Sequence, residues 1–212
     1  LPWWEVVLHD ENFINPDIPR ELCDAWQEFA EEEWFSDLGK EWVSFSRHER
    51  VIPAWQALKT GADIVPGEDM RQIIAEADAL VVAPCVCRVR AHLCDKPLHT
   101  CLAWGGYGRR WLRRGLGRQV SKEEALQIMA EAEDAGLIHT RRGMFDIPTV
   151  CQCCSCCCDI VRPLVKIGKL HEGLERSSYV AVVDQELCTG CQDCVERCII
   201  DALSMRKVEG SK

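Results

Sequence analysis

The chain has 212 residues, 47% of them hydrophobic, enough to bury an apolar core without metal as a precondition for folding. Its 25 Lys and Arg against 34 Asp and Glu leave a net charge of -9, which repels phosphate backbones and acidic membrane surfaces, and no apolar run of about 18 residues is present to enter a bilayer. Nucleic acid and membrane insertion are therefore set aside.

The first segment, 1–65, reads as a helical cap or docking arm, rich in acid (Glu31 to Glu33) and in tryptophan (Trp3, Trp4, Trp26, Trp34, Trp42, Trp55). Pro19, with its φ already helical, opens a helix in which Leu22, Cys23, Trp26, Phe29, Ala30 and Trp34 share one face. Cys23, isolated on that face, is expected to be a small buried hydrophobe. The tryptophans are expected to pack inside the protein in preference to docking a partner. Residue 1 is Leu, which leaves room for an export signal or a further domain ahead of it.

The second segment, 66–150, is a helical and hairpin region. Pro66-Gly67 introduces a helix burying Met70, Ile73, Ile74 and Ala77, and the extended run Leu80 to Ala83 follows. Residues 105–118 read as an irregular basic loop, with Gly105 to Gly108 as a flexible turn. Ser121-Lys-Glu-Glu124 is a capping box for a helix that buries Ala125, Ile128, Met129 and Ala132 and stops at Gly136. Leu137 to Arg142 and Met144 to Val150 are expected to pair as a hairpin. A helix before a hairpin also suggests a winged helix with Arg109, Arg110, Arg113, Arg114 and Arg118 as a DNA patch, a reading that the net charge opposes. In the third segment, 151–212, a helix is expected through Val165 and Lys166 and a strand from Tyr179 to Val183.

Cysteine carries the chemistry. There are 15, an odd number that no closed set of disulfides can use up, and all but Cys23 fall in three groups. Vicinal runs such as Cys153-Cys154 suit disulfide geometry poorly, so metal ligation is the better account. In the third group, Cys188, Cys191, Cys194 and Cys198 follow Cys-x2-Cys-x2-Cys-x3-Cys. Three thiolates so spaced wrap corners of one cubane and the fourth reaches another cluster, whereas structural zinc wants two separated pairs. The first group, Cys85, Cys87, Cys94 and Cys101, is self-sufficient for a cluster, with zinc as its rival. His92 and His99 are expected to serve as surface or hydrogen-bonding groups. In the second group, Cys151, Cys153, Cys154, Cys156, Cys157 and Cys158, the members 151, 154 and 157 repeat the Cys-x2-Cys-x2-Cys spacing. That run is expected to exchange ligands with the third group and to leave two of its thiols over.

The third group, flanked by Tyr179-Val-Ala-Val-Val-Asp184 and Asp201-Ala-Leu203, resembles one half of a bacterial-type [4Fe-4S] ferredoxin; Ile199 stands where ferredoxins usually have proline, and the second half is absent. Over 65–205, the succession Ala83-Pro-Cys-Val-Cys-Arg88, Cys94-Asp-Lys-Pro97, the capped helix, the second cysteine run and the half ferredoxin resembles a multi-cluster 4Fe-4S binding family of anaerobic bacteria and archaea. The resemblance implies about three [4Fe-4S] clusters and low-potential electron transfer beside a redox protein or larger oxidoreductase. The fold expected is α+β: a helical N-terminal part, a cysteine-rich cluster-binding middle and a ferredoxin-like C-terminal end, in a cytoplasmic protein. Two rivals stay open: a reductase with a substrate-accessible cluster, and a cluster-dependent regulator. Neither a Gly-x-Gly-x-x-Gly fingerprint nor a Walker loop is present.

Overall fold

Short strands whose residues alternate between two environments organise the protein, a mixture of helices and antiparallel sheet. The computed structural model describes residues 17–34, 49–58, 64, 67–142 and 148–206. The strands are β1 (Glu49–Ile52), β2 (Val81–Ala83), β3 (Cys101–Ala103), β4 (Arg118–Gln119), β5 (Ile138–Arg142) and β6 (Thr149–Cys153), in the order β1-β5-β6-β3-β2-β4 with antiparallel neighbours throughout. The helices are α1 (Arg20–Phe29), α2 (Met70–Glu76), α3 (Val86–Ala91), α4 (Gly105–Arg113), α5 (Lys122–Asp134), α6 (Val161–Lys166), α7 (Leu170–Gly173) and α8 (Asp193–Arg197).

Because successive strand residues point to opposite faces, the sheet separates two interiors. Val82, Leu102 and Val150 face one way and pack with Met70 and Ile74 of α2 and Ala125, Ile128 and Met129 of α5. Val81, Ala83 and Ala103 face the other way and meet Cys23 of α1, Val86 of α3 and Trp111 of α4. The second interior continues into the cysteines.

Helix signals read from the sequence are realised at α2 and α5. In α5 the Ser121 side chain accepts from the Glu124 N–H at 3.1 Å, and the Glu124 carboxylate accepts from the Ser121 backbone in return, the reciprocal bonding of a capping box. All four residues expected inside are buried, and Gly136 terminates the turn at a φ of +71°. Pro19 precedes α1 as expected and Cys23 is buried, but Leu22 and Phe29, expected on the same face, are exposed. From that face Cys23 and Trp26 reach the sheet. Of the tryptophans, Trp26 packs on the second interior with the Arg90 guanidinium 5.2 Å from its ring centre. Trp3, Trp4, Trp42 and the Trp34 side chain lie outside the described residues.

Three expectations need correction. The stretch 105–118 is not an irregular loop, since its first nine residues form α4. Gly108 is there for closeness, not flexibility: a Cβ would come within 2.3 Å of the Ala79 carbonyl oxygen, so only glycine lets the helix lie against the chain entering β2. The second hairpin strand, whose residues 144–147 lie outside the described residues, does not stop at Val150 but runs from Thr149 to Cys153, carrying the first two cysteines of its group into the sheet. Residues 179–183 pair with no strand among the described residues, and Val180 and Val182 are more than four-fifths exposed.

The C-terminal part is tied to this body at two places. The Glu175 N–H donates to the Glu49 carbonyl at 2.9 Å, and Arg50 bridges the buried Glu68 carboxylate at 2.7 Å and Glu175 at 3.0 Å. Arg197 of α8 donates to the carbonyls of Glu133 and Asp134 at 2.9 and 3.1 Å, placing a cation at the C-terminal end of a helix dipole.

Candidate metal centre

Register decides which cysteines meet. Leu102 pairs with Val150 and Ala103 with Thr149, which carries Cys101, at the start of β3, to Cys151 on β6; the two thiols are hydrogen-bonded. Cys153, two residues on, shares the face of Cys151. Cys85 and Cys87 arrive from the junction of β2 and α3, and Cys158 folds back from the turn after β6 to lie 3.4 Å from Cys153, sulfur to sulfur. Together with Cys154 and Asp159 they line one cavity.

Cys94 leaves this set. Its sulfur lies 3.6 Å from that of Cys157, and Cys94, Cys154, Cys156 and Cys157 bring four sulfurs within 4.8 Å of one another. This group can bind a metal. Among the described residues it is the one gathering of three or more ligand atoms so close. Ala91, Ala132 and Leu137 form its apolar surround.

The first and second groups are thus interleaved: Cys85, Cys87 and Cys101 face Cys151, Cys153 and Cys158, while Cys94 joins the remainder of the second run. Self-sufficiency of the first group is not what the fold arranges, because Cys94 lies beyond the end of α3, away from the strands that hold its neighbours. Nor does the second run direct its thiols to the third group. Cys188, Cys191 and Cys194 are exposed, and the motif touches the body through Arg197 on α5. Within the motif, Gly190 and Gln192 adopt φ of +72° and +70°, and the Ala202 N–H donates to the Cys198 sulfur at 3.3 Å. His92 and His99 are exposed, as expected of surface groups.

Electrostatics singles out residues not recognised from the sequence. Arg88 is 3% exposed. It donates to the Gln152 carbonyl at 2.7 Å and to the Thr100 hydroxyl, but its Nε has no hydrogen-bond partner. Burial works against its charge, and the sulfurs of Cys85 and Cys154 more than offset that. Arg90, fully buried, pairs with Asp159. Burial foremost, and then the sulfur of Cys87, raise the Asp159 carboxyl to about 7. The thiols fall into donors and acceptors of the same protons. Hydrogen bonds from Cys158 and Cys85 hold Cys87 well below the ordinary thiol range, and one from Cys157 helps bring Cys154 down to about 4. The donors move the opposite way: Cys85 is pushed up by its bond to Cys87 and by burial, and Cys156 reaches about 12, chiefly through burial. The two arginines standing among cysteines in Cys85-Val-Cys-Arg-Val-Arg90 were the available signal, since a buried guanidinium needs an anion beside it.

The cavity has room for more than one water-sized occupant. It encloses about 50 Å³ measured to the centres of water-sized spheres, several times the roughly 10–15 Å³ that one water needs on that measure. Its lining combines thiols with a buried cation whose Nε is unpartnered. All 15 cysteines are free thiols. No helix among the described residues is long and apolar enough to cross a membrane. No protein-family model, curated protein or solved structure matches the chain.

Proposed function

We propose that the protein is an iron-sulfur electron-transfer protein, or the electron-transfer subunit of a larger oxidoreductase, with [4Fe-4S] clusters held at the thiol-lined cavity and at the 188–198 motif and a further metal centre at the compact four-cysteine group. The cavity carries this reading: thiols from separate stretches of chain converge on a space larger than one ion needs, beside a buried guanidinium. A thiolate-ligated cluster is an anion, and Arg88 supplies the compensating charge that a lining of neutral thiols would not require.

When bound, such a cluster supplies a reversible one-electron site whose potential responds to charge, hydrogen bonds to sulfur and solvent exposure. Cys85, Cys87, Cys101, Cys151, Cys153 and Cys158 offer the ligands in the cavity. Arg88 and the Arg90–Asp159 pair place fixed charge beside them, and the Val161 N–H donates to the Cys158 sulfur at 3.5 Å. In the ferredoxin-like motif, Cys188, Cys191, Cys194 and Cys198 are the ligands, the Ala202 N–H serves Cys198, and exposure opens the site to a redox partner. Free thiols in this number fit a reducing compartment such as the cytoplasm. Arg109 and Arg118 of the basic stretch are engaged by Asp78 and Glu124 at 2.6 Å, which supports a protein partner over nucleic acid.

Anaerobic purification followed by an EPR redox titration with spin counting tests the proposal. Low-potential signals accompanied by acid-labile sulfide are expected. A chain that holds neither sulfide nor reducible iron is no electron carrier of this kind. One observation favours a second reading, a reductase: six cavity thiols remain after Cys154 is assigned to the compact group, more than one cubane uses. That reading predicts a cavity-cluster spectrum that changes with an added substrate.

A further inference from the structure

From the spacing of its four sulfurs we infer that the group formed by Cys94, Cys154, Cys156 and Cys157 is a mononuclear tetrathiolate centre for a single thiophilic ion, zinc or iron, and not the site of a third cubane cluster. The inference rests on the metal-binding reading above and gives one of its centres a different nuclearity.

Distance carries the argument. A tetrahedral ion with metal–sulfur bonds of about 2.3 Å holds its four sulfurs about 3.8 Å apart. Here Cys94 and Cys157 stand 3.6 Å apart, Cys156 and Cys157 3.9 Å, and no pair exceeds 4.8 Å. In a cubane each thiolate binds its own iron and points away from the core, so four irons and four sulfides lie between the ligands and push them much farther apart. Sulfurs this close leave no space for that core.

The surroundings agree. Three ligands come from one tight turn, residues 154–157, and the fourth from the loop after α3, so an ion clamps the end of β6 to the end of α3. Ala91, Ala132 and Leu137 close over the group. Two donors reach the sulfurs, the Leu93 N–H toward Cys157 and the Arg88 guanidinium toward Cys154, the kind of outer contact that orients metal ligands and offsets their charge. Cys154 also lines the larger cavity, and α5, whose C-terminal turn supplies part of the surround, carries the Arg197 contact to the 188–198 motif. The single ion therefore sits where the cavity and the C-terminal motif are both anchored. As zinc it is a structural pin without redox chemistry; as iron it is a further one-electron site.

The test uses the full chain purified anaerobically after expression with isotopically enriched iron and zinc both supplied. Metals and acid-labile sulfide are counted, and the metals are examined by Mössbauer spectroscopy and zinc-edge X-ray absorption. Expected is one ion per chain outside any sulfide-bridged cluster: zinc in a shell of four sulfurs with no metal neighbour, or iron with the spectrum of an isolated tetrathiolate site. Cys94→Ser and, separately, Cys156→Ser should lose that ion while sulfide content stays unchanged. Absence of any ion outside sulfide-bridged clusters in the unaltered chain overturns the inference, whether or not the variants fold. An isolated tetrathiolate zinc ion, in a chain without sulfide or reducible iron, would uphold it while sinking the electron-transfer proposal.

Discussion

The buried cysteines and the C-terminal motif hold the same ligand type by opposite means. At 188–198, spacing along the chain does the work: four cysteines within eleven residues, a glycine and a glutamine at positive φ, and exposure on the protein surface. In the interior, no stretch of sequence is sufficient. Cys101 reaches Cys151 only because β3 lies beside β6, and Cys94 reaches Cys157 only because α3 ends where the 154–157 turn passes. A local motif survives as long as its loop does, whereas a site assembled by register depends on the whole sheet.

Removing metal should open this contrast most widely, because structural thiolate sites contribute about 10–16 kcal/mol to folding in small metal-dependent domains. Hydrogen exchange on the chelated chain should show protection lost at 85–101, 151–158 and 188–198 and largely kept in α2 and α5, whose contacts are apolar. Uniform protection would mean that the thiols need no metal to stay in place.

Next in size is Arg88→Ala. Withdrawing a buried guanidinium from thiolates leaves charge without a partner and should cost about 3–5 kcal/mol, with metal lost from the interior sites and retained at 188–198. Denaturant unfolding together with metal analysis reads both. Equal retention at the two regions would show that Arg88 has no part in holding an anion.

Leu102→Ala acts on the opposite face of the same strands. Leu102 is 1% exposed, so its loss should lower stability by about 2–5 kcal/mol without changing which metals the folded chain carries. A changed metal content would show that the two interiors are not independent.

Acidification acts more gently on the interior sites. Metal must displace protons from Cys85, Cys101, Cys153, Cys156 and Cys157, whose pKa values are all raised. Interior affinity should therefore fall as pH falls, roughly tenfold per unit for each proton displaced. Competition with a chromophoric chelator across pH measures the slope. An affinity that does not change with pH would show that no interior thiol gives up a proton on binding metal.

Ser121→Ala is the mildest change. Losing the cap of α5 should cost about 1 kcal/mol and shift the thermal midpoint without touching either metal region. A loss of metal on this substitution would reveal a coupling through the C-terminal turn of α5 to the compact group.

Much of this was legible in the residues themselves, for reasons that differ by element. The capping box and the apolar positions of α5 are local, so Ser121, Glu124 and the four buried side chains could be read directly. The expectation of metal ligation followed from cysteine number and adjacency, and Cys23 was recognisable as a buried hydrophobe from its place on an apolar helix face. The helix at 105–113 was hidden because Gly105, Gly106 and Gly108 in its first turn argue for a loop by propensity, while a buried Trp111 and the close passage of Gly108 over Ala79 decide for a helix by packing. The strand expected at 179–183 has the right residues but no partner to accept its hydrogen bonds.

By itself the sequence pointed to metal ligation by thiolates, placed the start of α5 at its Ser121 cap, and put Cys188, Cys191 and Cys194 on one short stretch, since each depends on residues within a turn or two of one another. Only the tertiary structure decided how the ten cysteines of the first two groups divide, separating Cys94, Cys154, Cys156 and Cys157 from the cavity thiols and placing Arg88 between them. The reason is physical: thiolates are grouped by distance in space, and across an antiparallel sheet that distance is set by register and not by separation along the chain.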